Sequence, residues 1–365
     1  MLSDRATRIN QWLLQCAFEW DTNLNWLRAM TRKNLALYYF NVFYMVVMNV
    51  FSLIRLSQSY DEKELPLVSK ILTFTWAGAY SFTTLLILQS EILGKDVMAL
   101  INMMLDHLQK VGRQIEKKNT DQFSTQFYIG IGLLLFNPVL HALVITTEPC
   151  VPVAISSLLA DCDVGGSGAL PHGVFHGLVF IQEIYGITIL LYTFAFNWSI
   201  IFLGLAWILT ELRNIRIGLP TSSEEEMYNY RHVELIVTML NYTVVIYLTS
   251  FPSMLFLVVA LLLFGTIRVW HLDPRGNVVF PACMTRCGFE AMTLTMLAGR
   301  VNLESTKVIV EWKYGGRSKL ARKFQQSCRS IKCAAGSMYT FESSIVITSL
   351  DNLIALTCNL LVAIE

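Results

Sequence analysis

The chain has 365 residues, of which 54% are hydrophobic and only 15% are charged, whereas about 25% of the residues in an ordinary globular domain are charged. Its net charge at pH 7 is +1, and the 28 Lys and Arg residues form no concentrated patch of the kind that binds nucleic acid. These values argue against a soluble domain and against a nucleic-acid partner. They predict an all-α polytopic membrane protein in contact with the lipid bilayer.

Seven stretches are predicted to cross the bilayer as helices. We expect an N-terminal segment, residues 1–34, to precede them as a short interfacial helix. Transmembrane spans 1–6 and their loops are expected within 35–299, and the sixth span is the least apolar because it carries Arg286 and Glu290. The predicted spans are 35–56, 67–93, 127–147, 174–212, 227–267, 280–297 and the terminal stretch 338–365.

Spans 4 and 5 are longer than a membrane requires. Each runs for about 40 residues, or about 60 Å of helix, which is twice the ~30 Å thickness of a hydrocarbon core. We therefore expect both to project beyond the membrane into an anchor domain, together with the basic segment 300–337. Apolar residues at steps of three and four within 95–124 predict a further amphipathic helix outside the lipid.

The distribution of Lys and Arg predicts the orientation of the chain. With seven spans, 22 of the 28 basic residues fall on the side of the N-terminus and six on the other side. Because cytosolic loops are enriched in Lys and Arg, we expect a cytosolic N-terminus, with 95–124 and 300–337 on the same side, and an extracellular C-terminus. The loop 148–172 then lies outside the cell, where a disulfide between Cys150 and Cys162 can form.

The terminal span is apolar overall but is interrupted by polar residues. In a lone transmembrane helix such residues are costly, so we expect them to face other protein or water. Two interpretations stay open: a bundle helix whose polar groups bond to its neighbours, and a helix that lines a pore. The interrupting residues are Thr348, Ser349, Asp351, Asn352, Thr357 and Asn359.

Two segments of the chain resemble a known family. The first is Tyr230-Arg231-His232-Val233-Glu234-Leu235 with Leu240-Asn241-Tyr242, and the second is Tyr339-Thr340-Phe341-Glu342 followed by Thr357-Cys358, five mostly apolar residues and two more. They resemble the arthropod gustatory/odorant receptor superfamily, and most of all a divergent gustatory receptor. Cys358 replaces the Tyr of the C-terminal signature and Ile364-Glu365 replaces its Gln-Phe, so the resemblance does not extend to sugar receptors or co-receptors.

The resemblance implies a seven-transmembrane chemosensory receptor in the plasma membrane that acts as a ligand-gated non-selective cation channel. It implies opening by a small-molecule tastant or odorant, and a homo- or hetero-tetramer with other chemoreceptor subunits. In that family the seventh helices line a central pore. Leu361 would then form a hydrophobic constriction, with Ile364, Cys358 and Thr357 beside it.

The resemblance also implies a ligand site in the outer half of each helical bundle. Aromatic and polar side chains in spans 2, 3, 4 and 6 can form an apolar pocket with a few polar groups. Glu183 and Glu290 are costly in a span, so we expect them to bind a polar or cationic ligand, to pair with Arg286, or to be protonated. The candidate ligand-binding residues are Trp76, Tyr80, His141, Phe180, Glu183, Met284, Phe289 and Glu290.

Other classes of membrane protein are less well matched. A G-protein-coupled-receptor-like seven-helix receptor requires the opposite orientation, and a secondary transporter usually shows an internal repeat, which this sequence lacks. An enzyme is not expected, because the few carboxylates and histidines in the spans form no catalytic set, and no cofactor is implied. His172 and His176 have the i, i+4 spacing of metal ligands, but no third ligand lies near them in sequence, so no metal site is predicted.

Overall fold

Helices make up nearly all of the described part of the chain, as the composition predicts. A computed structural model describes residues 18–21, 26–61, 65, 67–111, 117–147, 150–152, 154–158, 161–162, 168–169, 174–217, 223–269, 276–314, 323–324 and 326–363. The all-α fold is confirmed. The helices are α1 Arg32–Asp61, α2 Leu67–Val111, α3 Lys117–Thr147, α4 Val174–Ile217, α5 Ser223–Thr243, α6 Val245–Val269, α7 Gly276–Tyr314 and α8 Ile345–Ala363.

Short hairpins and one 3-10 turn complete the described structure. Three antiparallel pairs of strands are β1 Phe18–Asp21 with β2 Trp26–Ala29, β3 Asp161–Cys162 with β4 Gly168–Ala169, and β5 Ala334–Ala335 with β6 Tyr339–Thr340. A 3-10 helix covers Ile155–Leu158.

Six of the described helices are long and apolar enough to cross a membrane. They contain the stretches Asn34–Tyr60, Ser69–Asp106, Phe123–His141, Gly177–Arg216, Val245–Arg268 and Ile345–Ala363. The predicted sixth span lies in α7, which is not among them, yet α7 packs along α4 and α6 within the bundle. Its charged residues are buried against these neighbours instead of facing lipid, which explains why hydropathy alone marks it only weakly.

The core of the bundle is built around α4. This helix is apolar all round, which is typical of a helix enclosed by protein on every side. Trp198, Phe202, Leu205 and Ile208 on α4 are completely buried. In contrast, α1 leaves a row of large apolar side chains exposed, including Phe43, as expected of a helix that contacts lipid.

Span 5 is divided between α5 and α6, with a one-residue break at Val244. The side-chain amide of Gln89 on α2 bridges the break: its Nε2 donates to the carbonyl oxygen of Thr243 at 3.0 Å, and its Oε1 accepts from the amide N of Ile246 at 3.1 Å. Because unsatisfied backbone groups are costly in an apolar interior, Gln89 stabilises this irregular point inside the bundle.

Two sequence expectations differ from the structure near the N-terminal side of the bundle. Residues 95–124 are not a separate amphipathic helix, because 95–111 continue α2 and 117–124 begin α3. The described part of segment 1–34 consists of the hairpin β1–β2 and the first residues of α1, and not of an interfacial helix. Asn102 on α2 holds this hairpin by bonding both the amide N and the carbonyl O of Leu27, at 2.9 and 3.0 Å. Such a long-range contact cannot be read from local periodicity.

The segment 326–341, which we call the strap, connects the end of the basic region with α8. Tyr230 on α5 donates to the carbonyl oxygen of Arg329 at 2.8 Å, and Asn241 donates to that of Lys332 at 3.0 Å. The Ser305 hydroxyl of α7 accepts from the amide N of Ile331 at 2.6 Å. The strap is therefore bound to both α5 and α7.

The residues after the strap approach α7 closely at a glycine. A Cβ added at Gly299 would lie 2.8 Å from the carbonyl oxygen of Glu342 and 3.3 Å from the Cα of Ser343. Backbone atoms cannot move aside as a flexible side chain can, so Gly299 is required for this contact. The start of α8 therefore rests directly on α7.

Candidate functional site

A cavity of about 60 Å³ lies within the helical bundle. About 10–15 Å³ of such volume holds one water, so this cavity has room for on the order of four to six waters or one small organic molecule. Its wall is mostly apolar and comes from α2, α3, α4, α6 and α7. The lining residues are Leu72, Thr75, Trp76, Ala79, Asn137, Leu140, His141, Leu190, Phe194, Met254, Leu255, Val258, Leu262, Val279, Cys283, Arg286 and Cys287.

His141 and Trp76 form one side of the cavity. Their rings are in edge-to-face contact with centroids 4.7 Å apart, which fixes the orientation of the imidazole. His141 is only 6% exposed, and neither of its ring nitrogens has a hydrogen-bond partner among the described residues. The hydroxyl of Thr75, the residue before Trp76, likewise lacks a partner within the described part of the chain.

Glu183 lies behind His141 and connects it with the loop that follows α3. Its Oε2 is 3.9 Å from His141 Nε2, and its Oε1 accepts hydrogen bonds from the amide N of Ile155 and, at 3.2 Å, from that of Ser156. These amides lie at the start of the 3-10 helix, where backbone N–H groups have no partner within the helix. Glu183 therefore caps this turn and does not line the cavity.

Arg286 and Glu290 form a buried ion pair on α7. The Nε–Oε1 and Nη2–Oε2 distances are 3.0 and 3.3 Å, and the residues are 8% and 0% exposed. The side-chain oxygen of Asn137, in the amide orientation that satisfies both groups, accepts from Arg286 at 2.8 and 3.1 Å. The guanidinium also lies 5.9 Å from the ring centroid of Phe194. Glu290 thus neutralises the one guanidinium of the described cavity wall.

The structure brings together only part of the predicted ligand set. Trp76 and His141 line the cavity, whereas Glu183 and Glu290 lie behind it and are paired with other protein groups. Four other candidates are outside the wall: Tyr80 is buried elsewhere in the core, Phe180 and Met284 are half-buried, and Phe289 packs against the core cluster. These four residues do not line the described cavity, and their ligand-binding role stays a prediction.

Sequence reasoning missed several residues of the cavity. Thr75 precedes a predicted candidate by one residue, but nothing in the local pattern marks its hydroxyl as unsatisfied. Asn137 stands beside Pro138 and reads as part of a helix kink, although an amide in a span was a detectable signal. Arg286 was not predicted to line the cavity, although its pairing with Glu290, four residues on, was one of the sequence-based expectations. Cys283 and Cys287, one turn apart, occupy the same wall.

Helix α8 buries one face and leaves the other exposed. Thr357, at 4% exposure, is the buried residue of this helix and donates to the carbonyl oxygen of Leu353 at 2.9 Å. Leu361 is half-buried against the core, whereas Cys358 is exposed. Thr357 faces the interior of its own subunit, so its place in a pore wall stays a prediction, and Ile364 lies outside the described residues. The exposed residues opposite Thr357 include Thr348, Asp351, Asn352, Ala355, Asn359 and Val362.

The predicted disulfide and the histidine pair for which no metal site was predicted lie largely outside the described residues. Cys150 is disulfide-bonded, but the side chain of Cys162 lies outside the described ones, so the Cys150–Cys162 pairing stays a prediction. His172 and the side chain of His176 are outside the described residues as well. Among the residues that the structure describes, no group of three or more His, Cys, Asp or Glu side chains is placed to hold a metal ion.

Burial changes the acidity of groups around the strap. Burial raises the pKa of the Cys333 thiol to about 12, and it raises the pKa of Tyr230 to about 12 although the bond with Ser305 opposes it. Both groups are therefore held in their neutral form. The polar contacts of the strap are hydrogen bonds in a largely dry interior.

The whole fold is similar to that of known insect chemoreceptors. No protein-family model matches the chain, and no curated protein matches it. The solved structures that match include the insect olfactory receptor OR5 from Machilis hrabei, with a TM-score of 0.74, and the same receptor in complex with eugenol, with a TM-score of 0.75. In both cases the identity is 10%, and the alignment covers 99% of this chain and 97% of that chain. The chain therefore has the fold of the insect olfactory receptors, as its resemblance to the gustatory/odorant receptor superfamily predicts.

Proposed function

We propose that the chain is a subunit of a ligand-gated non-selective cation channel, a chemosensory receptor of the plasma membrane that a small organic molecule opens. The observation that carries the proposal is a fold shared over its whole length with an insect olfactory receptor, one structure of which contains the small molecule eugenol. The buried, mostly apolar cavity with a few polar groups is what such a ligand requires. The gustatory rather than odorant assignment rests on the sequence resemblance alone.

The exposed face of α8 supports a pore. A helix of this hydropathy crosses a membrane, yet it turns Thr348, Asp351, Asn352 and Asn359 away from its own subunit. Polar and charged groups are costly in lipid, so they require water or protein partners. Four copies of α8 around a central axis would place these residues in a water-filled path. A ring of Asp351 carboxylates would favour cations.

The constriction is proposed one turn further along α8. Val362 is 77% exposed and Leu361 is half-buried beside it, and a ring of such side chains can close a pore by excluding water. The strap and the contact at Gly299 connect α8 with α7, which carries part of the cavity wall. Ligand binding would therefore act on α8 through α7. In a homo- or hetero-tetramer, the contacts between α7 and α8 would thus couple ligand binding in the cavity to opening of the pore.

The native thiol of Cys358 provides the test of the pore face. Whole-cell currents are recorded from cells that express the chain, alone and with other chemoreceptor subunits, during application of a panel of tastants and odorants. A cationic methanethiosulfonate reagent is expected to reduce the ligand-evoked current of the wild type. The Cys358→Ala variant should resist the reagent because it lacks the exposed thiol. The double variant Cys358→Ala with Thr357→Cys should also resist it, because position 357 faces the subunit interior.

Two results would overturn parts of the proposal. Modification at position 357 but not at 358 would mean that the opposite face of α8 lines the pore. A chain that reaches the cell surface but passes no current with any ligand or partner subunit would refute the channel itself. An epitope tag after Glu365 that stains only permeabilised cells would contradict the expected extracellular C-terminus.

A further inference from the structure

We infer that Tyr339 is a positioning residue for the pore helix: its hydroxyl takes the place of the N–H group that Pro252 lacks, and thereby fastens the start of α8 to α6. The inference rests on the proposed function, because it names the residue that couples the cavity wall to the helix proposed to line the pore. Two features carry it: a proline within α6, and a side-chain partner for the carbonyl group that this proline leaves free.

Pro252 interrupts the hydrogen bonds of α6. A proline has no backbone N–H, and its ring clashes with the carbonyl group four residues earlier in a helix. In α6 this carbonyl belongs to Leu248, which is buried and whose own amide N donates to the carbonyl oxygen of Val244 at 2.9 Å. Because a buried carbonyl group in a membrane helix needs a donor from its surroundings, another part of the protein must supply one.

The Tyr339 hydroxyl supplies this donor. It donates to the carbonyl oxygen of Leu248 at 3.0 Å, and Ser253, the residue after the proline, is a second polar contact of the same hydroxyl. The Tyr339 ring is in edge-to-face contact with Phe341, with centroids 5.2 Å apart, and Phe341 is fully buried. A packed ring therefore directs the hydroxyl at the proline site.

A second anchor holds the strap on the other side of the break at Val244. Asn241 on α5 donates to the carbonyl oxygen of Lys332 at 3.0 Å, and its Oδ1 accepts from the amide N of Ala334 at 3.1 Å. Between the two anchors the strap turns at Gly336 with a φ of 56°, a conformation that favours glycine. The strap therefore crosses the irregular part of span 5 and is hydrogen-bonded on each side of it.

The position of Tyr339 connects the cavity with α8. On α6 the cavity-lining residues begin with Met254, two positions after Pro252, and α8 begins at Ile345, six positions after Tyr339, and packs along α6. Helices bend at prolines, so a change in the cavity that alters the angle between the two parts of α6 would move the Leu248 carbonyl. The hydroxyl bonded to it would carry this movement to α8. This gives the cavity a second connection to α8, beside the one through α7.

Hydrogen exchange of the purified protein in nanodiscs tests the fastening without any current. Tyr339→Phe removes the hydroxyl and keeps the ring, so the backbone amides of the strap and of the first turn of α8 should exchange about tenfold faster, as the loss of one hydrogen bond predicts. Tyr44→Phe is the matched control, because it removes a half-buried hydroxyl that bonds Gln182 on α4 instead. It should leave exchange in the strap at the wild-type rate. Unchanged exchange in Tyr339→Phe would overturn the inference.

Pro252→Ala tests whether the hydroxyl replaces a missing N–H. Position 252 then has an N–H group for the Leu248 carbonyl, so Tyr339→Phe should lower the midpoint of thermal unfolding less in this background than in the wild type. The strap should still exchange about tenfold faster in the double variant than in Pro252→Ala, because the new N–H restores the helix but not the fastening. Equal losses of midpoint in the two backgrounds would overturn the inference. Equal strap exchange in Pro252→Ala and the double variant would also overturn it, even where Tyr339→Phe alone fails to fold.

Currents separate this inference from the proposed function. With the panel of tastants and odorants, the evoked current per channel at the cell surface should fall about tenfold in Tyr339→Phe and stay at the wild-type value in Tyr44→Phe. Faster exchange with an unchanged current would refute the coupling and leave the channel standing. Faster exchange without a current from the wild type in any subunit combination would refute the channel and leave the fastening of α8 to α6 standing.

Discussion

Removing the carboxylate of the Arg286–Glu290 pair tests the energetics of the site most directly. In Glu290→Leu the guanidinium keeps the Asn137 oxygen, at 2.8 Å, but loses both carboxylate contacts and its counter-charge. Arginine stays charged in proteins, and breaking a buried pair by removing one partner costs about 3–5 kcal/mol. We therefore expect Glu290→Leu to lower the free energy of unfolding by about that amount.

The other two variants of the double-mutant cycle, Arg286→Met and the double variant, should lower the free energy of unfolding less than Glu290→Leu does. In Arg286→Met the remaining carboxylate can take up a proton, so the loss should be smaller than in Glu290→Leu. In the double variant no charge remains, and replacing a whole buried pair by apolar residues is often neutral or stabilising. The Asn137 amide then lacks its hydrogen-bond partner, which should lower the free energy of unfolding by about 1–3 kcal/mol. The double variant should therefore be more stable than Glu290→Leu alone.

The measurement is equilibrium unfolding of the purified protein in mixed micelles. The matched control is Glu234→Leu, which removes a carboxylate from the more exposed i, i+3 pair with Arg231 on α5. Such surface pairs contribute about 0–1 kcal/mol. The reasoning would be refuted if Glu290→Leu were no worse than Glu234→Leu, or if the losses of the two single variants simply added in the double variant.

Three further predictions concern the parts of the fold that hold the site and the strap. Gly299→Ala should impair folding or ligand response, because its Cβ would lie 2.8 Å from a backbone carbonyl oxygen. Gly288→Ala on the same helix has open space around its Cβ and should match the wild type in surface expression and current. Equal effects of the two substitutions would contradict the close contact at Gly299. Gln89→Leu should lower stability by about 1–3 kcal/mol in thermal unfolding, since it leaves two backbone groups at the α5–α6 break without partners, and a wild-type melting curve would contradict the bridging role. Burial raises the pKa of Cys333 to about 12 in the folded chain, against 9.0 for an unperturbed thiol. Between about pH 9 and 12 the unfolded state therefore loses a proton that the folded state retains. The free energy of unfolding should fall as the pH rises through this range. Cys333→Ala should flatten this part of the stability profile, and an unchanged slope would mean that other groups cause it.

The sequence alone determined the class of protein and most of the helices. Charges and exposed backbone groups are so costly in lipid that a membrane helix must be long and apolar. This requirement made the stretches in α1 to α4, α6 and α8 detectable. The comparison of helix length with bilayer thickness also showed that spans 4 and 5 are longer than a membrane requires. The pairing of Arg286 with Glu290 was also open to prediction, because residues four apart share one face of a helix.

Only the tertiary structure decided which polar groups are satisfied. Hydropathy does not distinguish a helix face that meets lipid from one that meets protein, so the inward position of Thr357 on α8 was not readable from the sequence. The bridge from Gln89 to the α5–α6 break joins residues 154 and 157 positions apart. The same holds for the cavity: Thr75 and His141 come from different helices, and only the tertiary arrangement of α2 and α3 brings both to its wall. Long-range packing, and not local pattern, decides which side chains meet there.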